Sequence, residues 1–464
     1  MSETEAPAEA SDGGLFDRGG NDLLLIGAVL AAIYLVYAGV AVLLDLRVAG
    51  TLIDLTRWIG LFAIVTLALN LHWGYTGLFN IGVVGFMGVG VYATAVASKP
   101  VATDAAAGAT GGFGLPLWLG IIIGGIVAGL FGLVIALPAL RLRADYLAIV
   151  TVAVSEILRF VFRNRSIASF DVGGRSVGLG GGDGLQLDWG SEAELLLDAL
   201  FLGGVYDWLV NTLEGTVAGN PEAIADGIVY GLILIAFVIG YYLLLQRMAN
   251  SPFGRVLKAI REDEEAAGSL GKDTARFKLI VFMIGCGLMG VAGVVWFMNA
   301  GGQGTINSTQ FRPELTFYVW IALIIGGAGS NTGSVLGGAI FAAVLFQGPR
   351  FLQDVIREFV NLQQAPLGDV PGSFGAAMAP VSGNLDVVPL LLYTASRISD
   401  MQLLIMGLVL IWLMHNRPEG MLGHRKEHAA AVSLDRPEDT SSKGFALTTD
   451  GGTTDATDGG QTDE

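Results

Sequence analysis

The sequence predicts an all-α polytopic membrane protein of about ten membrane-spanning helices, in a range of about 8 to 11. Three observations predict it. Of 464 residues, 53% are hydrophobic and only 15% are charged. Apolar runs of about 18 residues or more recur along the chain, close to the ~20 that a helix needs to cross a bilayer. The basic residues gather in a few short loops, as the positive-inside rule requires of a chain threaded repeatedly through a membrane. The 67 glycines fit close helix packing in lipid better than a water-soluble bundle.

Residues 1–21 are acidic and lack a basic n-region, so they read as a cytoplasmic segment with no cleavable signal. Spans are expected near 22–44, 52–71, 77–97, 115–139, 146–162, 227–246, 277–298, 315–330, 333–347 and 401–415. The first doubles as an uncleaved insertion signal. Asn70 and Asn80 flank a break at Gly74–Gly77 between the second and third, where unwound backbone could line a polar cavity. The pairs Gly120/Gly124, Gly125/Gly129 and Gly333/Gly337 read as helix-packing grooves, within the chain in preference to a dimer seam. Glu156 and Arg159 lie three apart on the fifth span and can pair where each alone would be costly. These polar groups either meet a solute or only fasten the bundle. The 315–347 pair also reads as a re-entrant hairpin, because its Gly-rich centre, Gly326 to Gly333, is a poor helix interior.

Orientation follows from Lys and Arg in short loops. Arg141 and Arg143 mark one inner loop; Arg247, Arg255, Lys258, Arg261, Lys272 and Arg276 mark a second; Arg417, Arg425 and Lys426 mark a third. Ten alternating spans place all three on one side, with both termini in the cytoplasm of a multi-pass plasma-membrane protein. The large outer loops then fall at 164–226 and 348–400. Leu195 to Val210, broken by Asp198 and Asp207, reads as an interfacial helix rather than a span. Residues 424–464, rich in Thr, Asp and Gly, are expected to be an acidic disordered cytoplasmic tail. No internal repeat is obvious.

The net charge is −16, with six lysines against twenty arginines. Nucleic-acid binding is disfavoured, since it needs Lys and Arg to neutralise phosphates. Acid-rich, Lys-poor exposed segments suggest a halophilic archaeon; the plainer reading is an acidic extramembrane surface.

Between two apolar runs lies a charged loop, Gln246 to Thr274. Pro252 is placed to start a helix over Phe253–Ala267, with Val256, Leu257 and Ile260 apolar and Glu262–Glu265 solvated. Gly268 and Gly271 then permit a turn into the next span. Taken alone, this is an ordinary amphipathic surface helix. However, Glu265-Ala266-Ala267 followed by Gly271 has the EAA-x-x-x-G spacing, and so resembles the loop by which ABC importer permeases grip their ATPases. The Ile-x-Leu-Pro part of the general importer motif is absent, which points to a divergent class.

The resemblance extends beyond the loop. Leu69-Asn70-Leu71, Gly74-Tyr75-Thr76-Gly77-Leu78, Gly88-Val89-Gly90-Val91-Tyr92 and Leu140–Thr151 follow in order. Glu156-Ile157-Leu158-Arg159, Gly254–Gly271, Gly326-Gly327-Ala328-Gly329-Ser330 and Arg417-Pro418-Glu419-Gly420 complete the series. From about residue 50 to 423 the chain resembles the LivM-type permease of the branched-chain amino acid ABC importer family. It departs at Val83, where many relatives carry a polar residue, and at Val172-Gly173-Gly174, which lacks a threonine often seen before the glycines.

The resemblance implies an ABC importer permease architecture over 22–423 and no enzyme activity or cofactor in this chain. The implied partners are a second homologous permease subunit, two ABC ATPase subunits and an extracellular solute-binding protein. The small-molecule substrate would be a branched-chain or other neutral amino acid. Arg255, Arg261, Glu262, Glu265, Ala266, Ala267 and Gly271 would couple to the ATPases. Asn70, Gly77, Asn80, Glu156 and Arg159 would lie along the translocation path. The runner-up substrate is urea or a short amide. A secondary transporter or channel is a third reading, disfavoured because a carrier has no use for an ATPase dock.

No catalytic constellation emerges. Gly268–Asp273 resembles the end of a phosphate-binding loop, but Ala266 stands at its first Gly and Asp273 replaces the Mg²⁺-binding Ser/Thr. The cluster Gly178–Gly184 lacks the strand and helix of a dinucleotide site. His72, His415, His424 and His428 are scattered, and Cys286 is the only cysteine.

Overall fold

The computed structural model describes residues 15–101, 111–139, 144–172, 175–187, 203–214, 220–298, 304–359, 371–385, 387–416 and 420–421. Arg141, Arg143, Arg417, Arg425, Lys426 and the acidic tail lie outside them. In chain order the helices are α1 (Leu15–Leu43), α2 (Val48–Thr76), α3 (Val83–Ser98), α4 (Leu117–Ala139) and α5 (Ala144–Arg163). There follow α6 (Gly203–Leu213), α7 (Pro221–Ala249), α8 (Pro252–Glu262), α9 (Glu264–Ser269), α10 (Thr274–Met298) and α11 (Pro313–Gly326). The last are α12 (Asn331–Ile340), α13 (Gly348–Phe359), α14 (Phe374–Asn384), α15 (Val388–Ser396) and α16 (Ile398–Asn416). A π-helical segment, Phe341–Gln347, joins α12 to α13 without a break.

Each of the ten expected spans falls on a helix, but only six described helices combine the length and hydropathy needed to cross a membrane. These are Leu24–Leu43, Val48–Thr76, Leu117–Ala139, Pro221–Ala249, Thr274–Met298 and Asn331–Ile356. The other four fall short for physical reasons. α3 has 16 residues and α11 has 14, so α11 rises only about 21 Å, less than the ~30 Å hydrocarbon core. α5 carries Glu156 and Arg159, and the apolar part of α16 is confined to Gln402–Leu413.

The bundle is organised around α2, which is wholly buried from Ile59 to Leu71. It packs against α7, α10 and α12, while α3, α4 and α10 form a second tight group. The glycine grooves lie in that group, inside the chain. A Cβ at Gly125 would come within 2.7 Å of Val291 Cγ2, and one at Gly132 within 2.6 Å of the Cys286 Cβ. Gly333 and Gly337 likewise abut the α11 backbone at Gly326. The small residues let backbones approach where a side chain would force them apart.

Two expectations for the loops need correction. The region 348–400 is not a loop throughout, because the span ending near 347 continues as helix to Phe359 and α14 and α15 follow. Phe351, Val355 and Ile356 keep one side of α13 half-buried at helical spacing, while Arg350 and Asp354 stay exposed. The region 164–226 holds antiparallel strands: β1 (Phe170–Val172) pairs with β2 (Arg175–Val177), and β3 (Leu185–Leu187) with β4 (Gly304–Ile306). The expected interfacial helix corresponds to α6, held by a 2.8 Å hydrogen bond from the Tyr206 hydroxyl to Asp226. Residues 195–202 lie outside the described residues.

The connections sort to two ends of the bundle. At one, the 111–116 segment joins β2 through Gly111 N donating to the Ser176 carbonyl, and β3–β4 ties the two long loops together. At the other lie α8, α9, the α2 terminus, the α11–α12 turn and Met421, whose amide donates to the Ile325 carbonyl at 2.9 Å.

Candidate functional site

The charged loop folds as two helices, not the single one expected over Phe253–Ala267. Ser251 caps α8 by accepting from the Gly254 amide, with Pro252 in the first turn, where its missing N–H costs nothing. Asp263 adopts an extended conformation (φ −155, ψ 106) and ends α8. Its carboxylate accepts from the Ala266 amide at 2.9 Å and so starts α9. A charged side chain that satisfies orphan amides outcompetes continuing the helix.

One face of this element is fixed to the bundle. Gly254, Leu257, Lys258 and Ile260 are buried, and Phe253 stacks on Phe277 with ring centroids 5.3 Å apart. Glu264 pairs with Lys278 of α10. Arg261 turns inward: its guanidinium donates to the Gly74 carbonyl, near the end of α2. Gly77 ends that helix in the left-handed region (φ 73), and the Gly77 and Leu78 amides satisfy the Trp73 and His72 carbonyls. The Gly74 carbonyl is left for a cation, which the helix dipole also favours there. Lys258 adds to the grip, its ammonium 5.9 Å from the Tyr75 ring centre.

The opposite face is open. Arg255, Glu262, Glu265, Ala266 and Gly271 are exposed, as is the neighbouring apolar Leu270, whereas Ala267 is buried. Gly271 has φ +76, and a Cβ there would meet nothing within 4 Å in this chain. Its requirement for glycine is thus conformational within the chain, not steric. Of the expected coupling residues, the structure turns Arg261 and Ala267 inward and the other five outward.

The path candidates separate into two groups. Asn70 is fully buried, its side-chain oxygen accepting from the Gly329 amide at 2.8 Å and its nitrogen donating to Asn331 at 3.2 Å. Asn80 lies in the non-helical segment between α2 and α3. It caps the Gly82 amide, its carbonyl accepts from the Trp320 indole, and its nitrogen lies 3.1 Å from His72 Nδ1. With Nε2 bonded to the Phe282 carbonyl at 3.2 Å, His72 donates on one side and accepts on the other, the neutral tautomer. The sequence reading sets His72 aside as one of four scattered histidines; its place just past the end of the second expected span, eight residues before Asn80, is the available signal. Each of these groups is spent on fastening helices or the unwound segment.

Glu156 and Arg159 form the other group. They pair at 2.7 Å on α5 and remain 30% and 25% exposed. The buried stripe of α5, with Leu147, Thr151, Ser155, Leu158 and Phe162, faces the chain, and Thr151 accepts from the Ile81 amide. The ion pair is not bonded to Asn70 or Asn80, so the structure does not bring the five path candidates together.

Comparison with known proteins places these observations. Residues 51–353 match the family model described as branched-chain amino acid transport system / permease component. The chain is 27% identical to the probable branched-chain amino acid transport permease protein LivM of Methanocaldococcus jannaschii, over 60% of this chain and 76% of that protein. It is 28% identical to the high-affinity branched-chain amino acid transport system permease protein LivM of Salmonella typhimurium, over 71% and 69% respectively. The LivH permease protein of the same organism is 28% identical over 36% of this chain and 50% of its own. No solved structure matches.

Proposed function

The chain belongs to the family of branched-chain amino acid transport permease components, and from that premise we propose that it forms one side of an ATP-driven import path for branched-chain or other neutral amino acids. It is a transport subunit and not an enzyme. The observation that carries the coupling reading is the two-faced element α8–α9. One face is clamped to the end of α2 through Arg261 and Lys258, and the other presents Arg255, Glu265, Leu270 and Gly271 to a partner. A push on the open face is passed into α2 by a charge-assisted bond, and Gly74 abuts Gly329 in the α11–α12 turn, so two spans receive it. The partners in this reading are a homologous second permease, two ATPases at the α8–α9 end and a solute-binding protein at the strand-bearing end. The half-exposed Glu156–Arg159 pair supports α5 facing the second permease or the path rather than lipid, where an ion pair is costly. The count of about ten spans, with both termini in the cytoplasm of the plasma membrane, completes the reading.

The substrate is tested on the assembled importer in nanodiscs. Its ATPase rate should rise severalfold with binding protein loaded with leucine, isoleucine or valine, and not with urea. Stimulation by urea alone would keep the mechanism and discard the amino acid. Topology is tested with fused reporters. Those after Arg143, within 255–270 or after Gly423 should be cytoplasmic, and those near Gly180 or Gly372 outside. A 255–270 loop found outside would sink the coupling reading.

Replacing Gly271 by isoleucine should reduce uptake at least tenfold while the chain stays inserted. The left-handed backbone costs a branched residue about 1–2 kcal/mol, too little to unfold the bundle but enough to re-aim Leu270 and the entry to α10. Glu265→Lys should act similarly through the partner contact, since the side chain is exposed and makes no ion pair among the described residues. Wild-type uptake in both variants would reduce α8–α9 to a surface element.

A further inference from the structure

At the end of the bundle away from α8–α9, two arginines from different helices converge on one indole. The Arg57 guanidinium carbon lies 5.2 Å from the Trp58 ring centre and that of Arg350 5.6 Å from the same ring; Arg350 also covers Phe346 at 4.9 Å. Beneath them Trp58, Phe62, Phe346 and Trp296 form a continuous cluster of edge-on and tilted aromatic contacts. Among the described residues neither guanidinium has a hydrogen-bond or ion-pair partner, and Arg57 Nε is buried without an acceptor. Exposed Asp54 is their electrostatic neighbour but pairs with neither. One turn before Arg350, at the end of the π segment, Gln347 is 9% exposed and its amide oxygen is also unpartnered. π segments of this kind mark functional positions more often than ordinary helix does.

The depth of the cluster identifies its ligand. Gly74 and Asn331 share the α8–α9 end, tied by Asn70 and Gly329. From there, Arg57 back along α2 and Arg350 forward along α12 and α13 each lie about 25–29 Å away at the helical rise, close to the ~30 Å hydrocarbon thickness. Both guanidiniums therefore stand at the far headgroup level, where phosphates lie and where Trp is enriched. We infer that Arg57 and Arg350, mounted on Trp58 and Phe346, form a binding site for the phosphate of a membrane lipid. Two forks give geometric recognition of phosphate oxygens that one snorkelling side chain does not. The paired arginines outweigh Asp54 by one charge.

The full-length chain, purified in neutral detergent, tests this by native mass spectrometry with titrated lipids. Phosphatidylglycerol should be retained at one molecule per chain, and a phosphate-free glycosyl diacylglycerol should not. R57Q/R350Q should weaken retention at least tenfold, and R350Q alone, at an exposed position, severalfold; R163Q, exposed at the end of α5, should change nothing. If the double variant fails to fold, R350Q decides the matter. Equal retention in wild type and R350Q, equal retention of the phosphate-free lipid, or displacement by millimolar inorganic phosphate would each overturn the lipid site.

Discussion

Arg261→Ala is expected to lower substrate uptake more than tenfold while the chain remains inserted and assembled. The side chain spans the gap between the coupling element and the end of α2, donating to the Gly74 carbonyl and lying 3.6 Å from Glu262. Its loss removes one charge-assisted bond, about 1.5–3 kcal/mol. That is small against the burial of α2, so folding survives. What fails is transmission, because α8 then loses its charge-assisted bond to the end of α2 and keeps softer contacts, among them the Lys258–Tyr75 approach. ATPase activity should persist and stop responding to loaded binding protein, a signature that simple misfolding does not give. Arg261→Lys keeps the charge but not the fork and should recover part of the response. Normal stimulation in Arg261→Ala would show that force reaches the spans by another route.

Much of this architecture is legible in the sequence, because hydropathy and glycine spacing are local. All ten apolar segments are helices, and the Gly120–Gly129 grooves pack inside the chain. What the sequence conceals depends on partners distant along it. The break after Gly77 is visible, yet the burial of Asn80 against His72 and Trp320 needs α10 and α11 in place. Asp263 reads as one more solvated acid, but its carboxylate caps Ala266 and divides the helix. Arg261 reads as an outward basic residue, because nothing local announces the Gly74 carbonyl beside it. The helix beyond residue 347 escapes a hydropathy average, because its charged face outweighs its apolar one. Strands of three residues in the long loop carry too little alternation to detect.

The central claim is that this chain is a path without an engine. Uphill transport needs an energy source, and the sequence offers neither a nucleotide-binding loop nor a relay of intramembrane acids; on α5, Glu156 and Arg159 pair with each other. The direct measurement is accumulation of labelled leucine in sealed vesicles. The isolated chain should accumulate none, with or without a proton gradient, and uptake should begin only when the second permease, the ATPases, loaded binding protein and ATP are all present. Gradient-driven accumulation by the isolated chain would contradict the account and make it a secondary carrier.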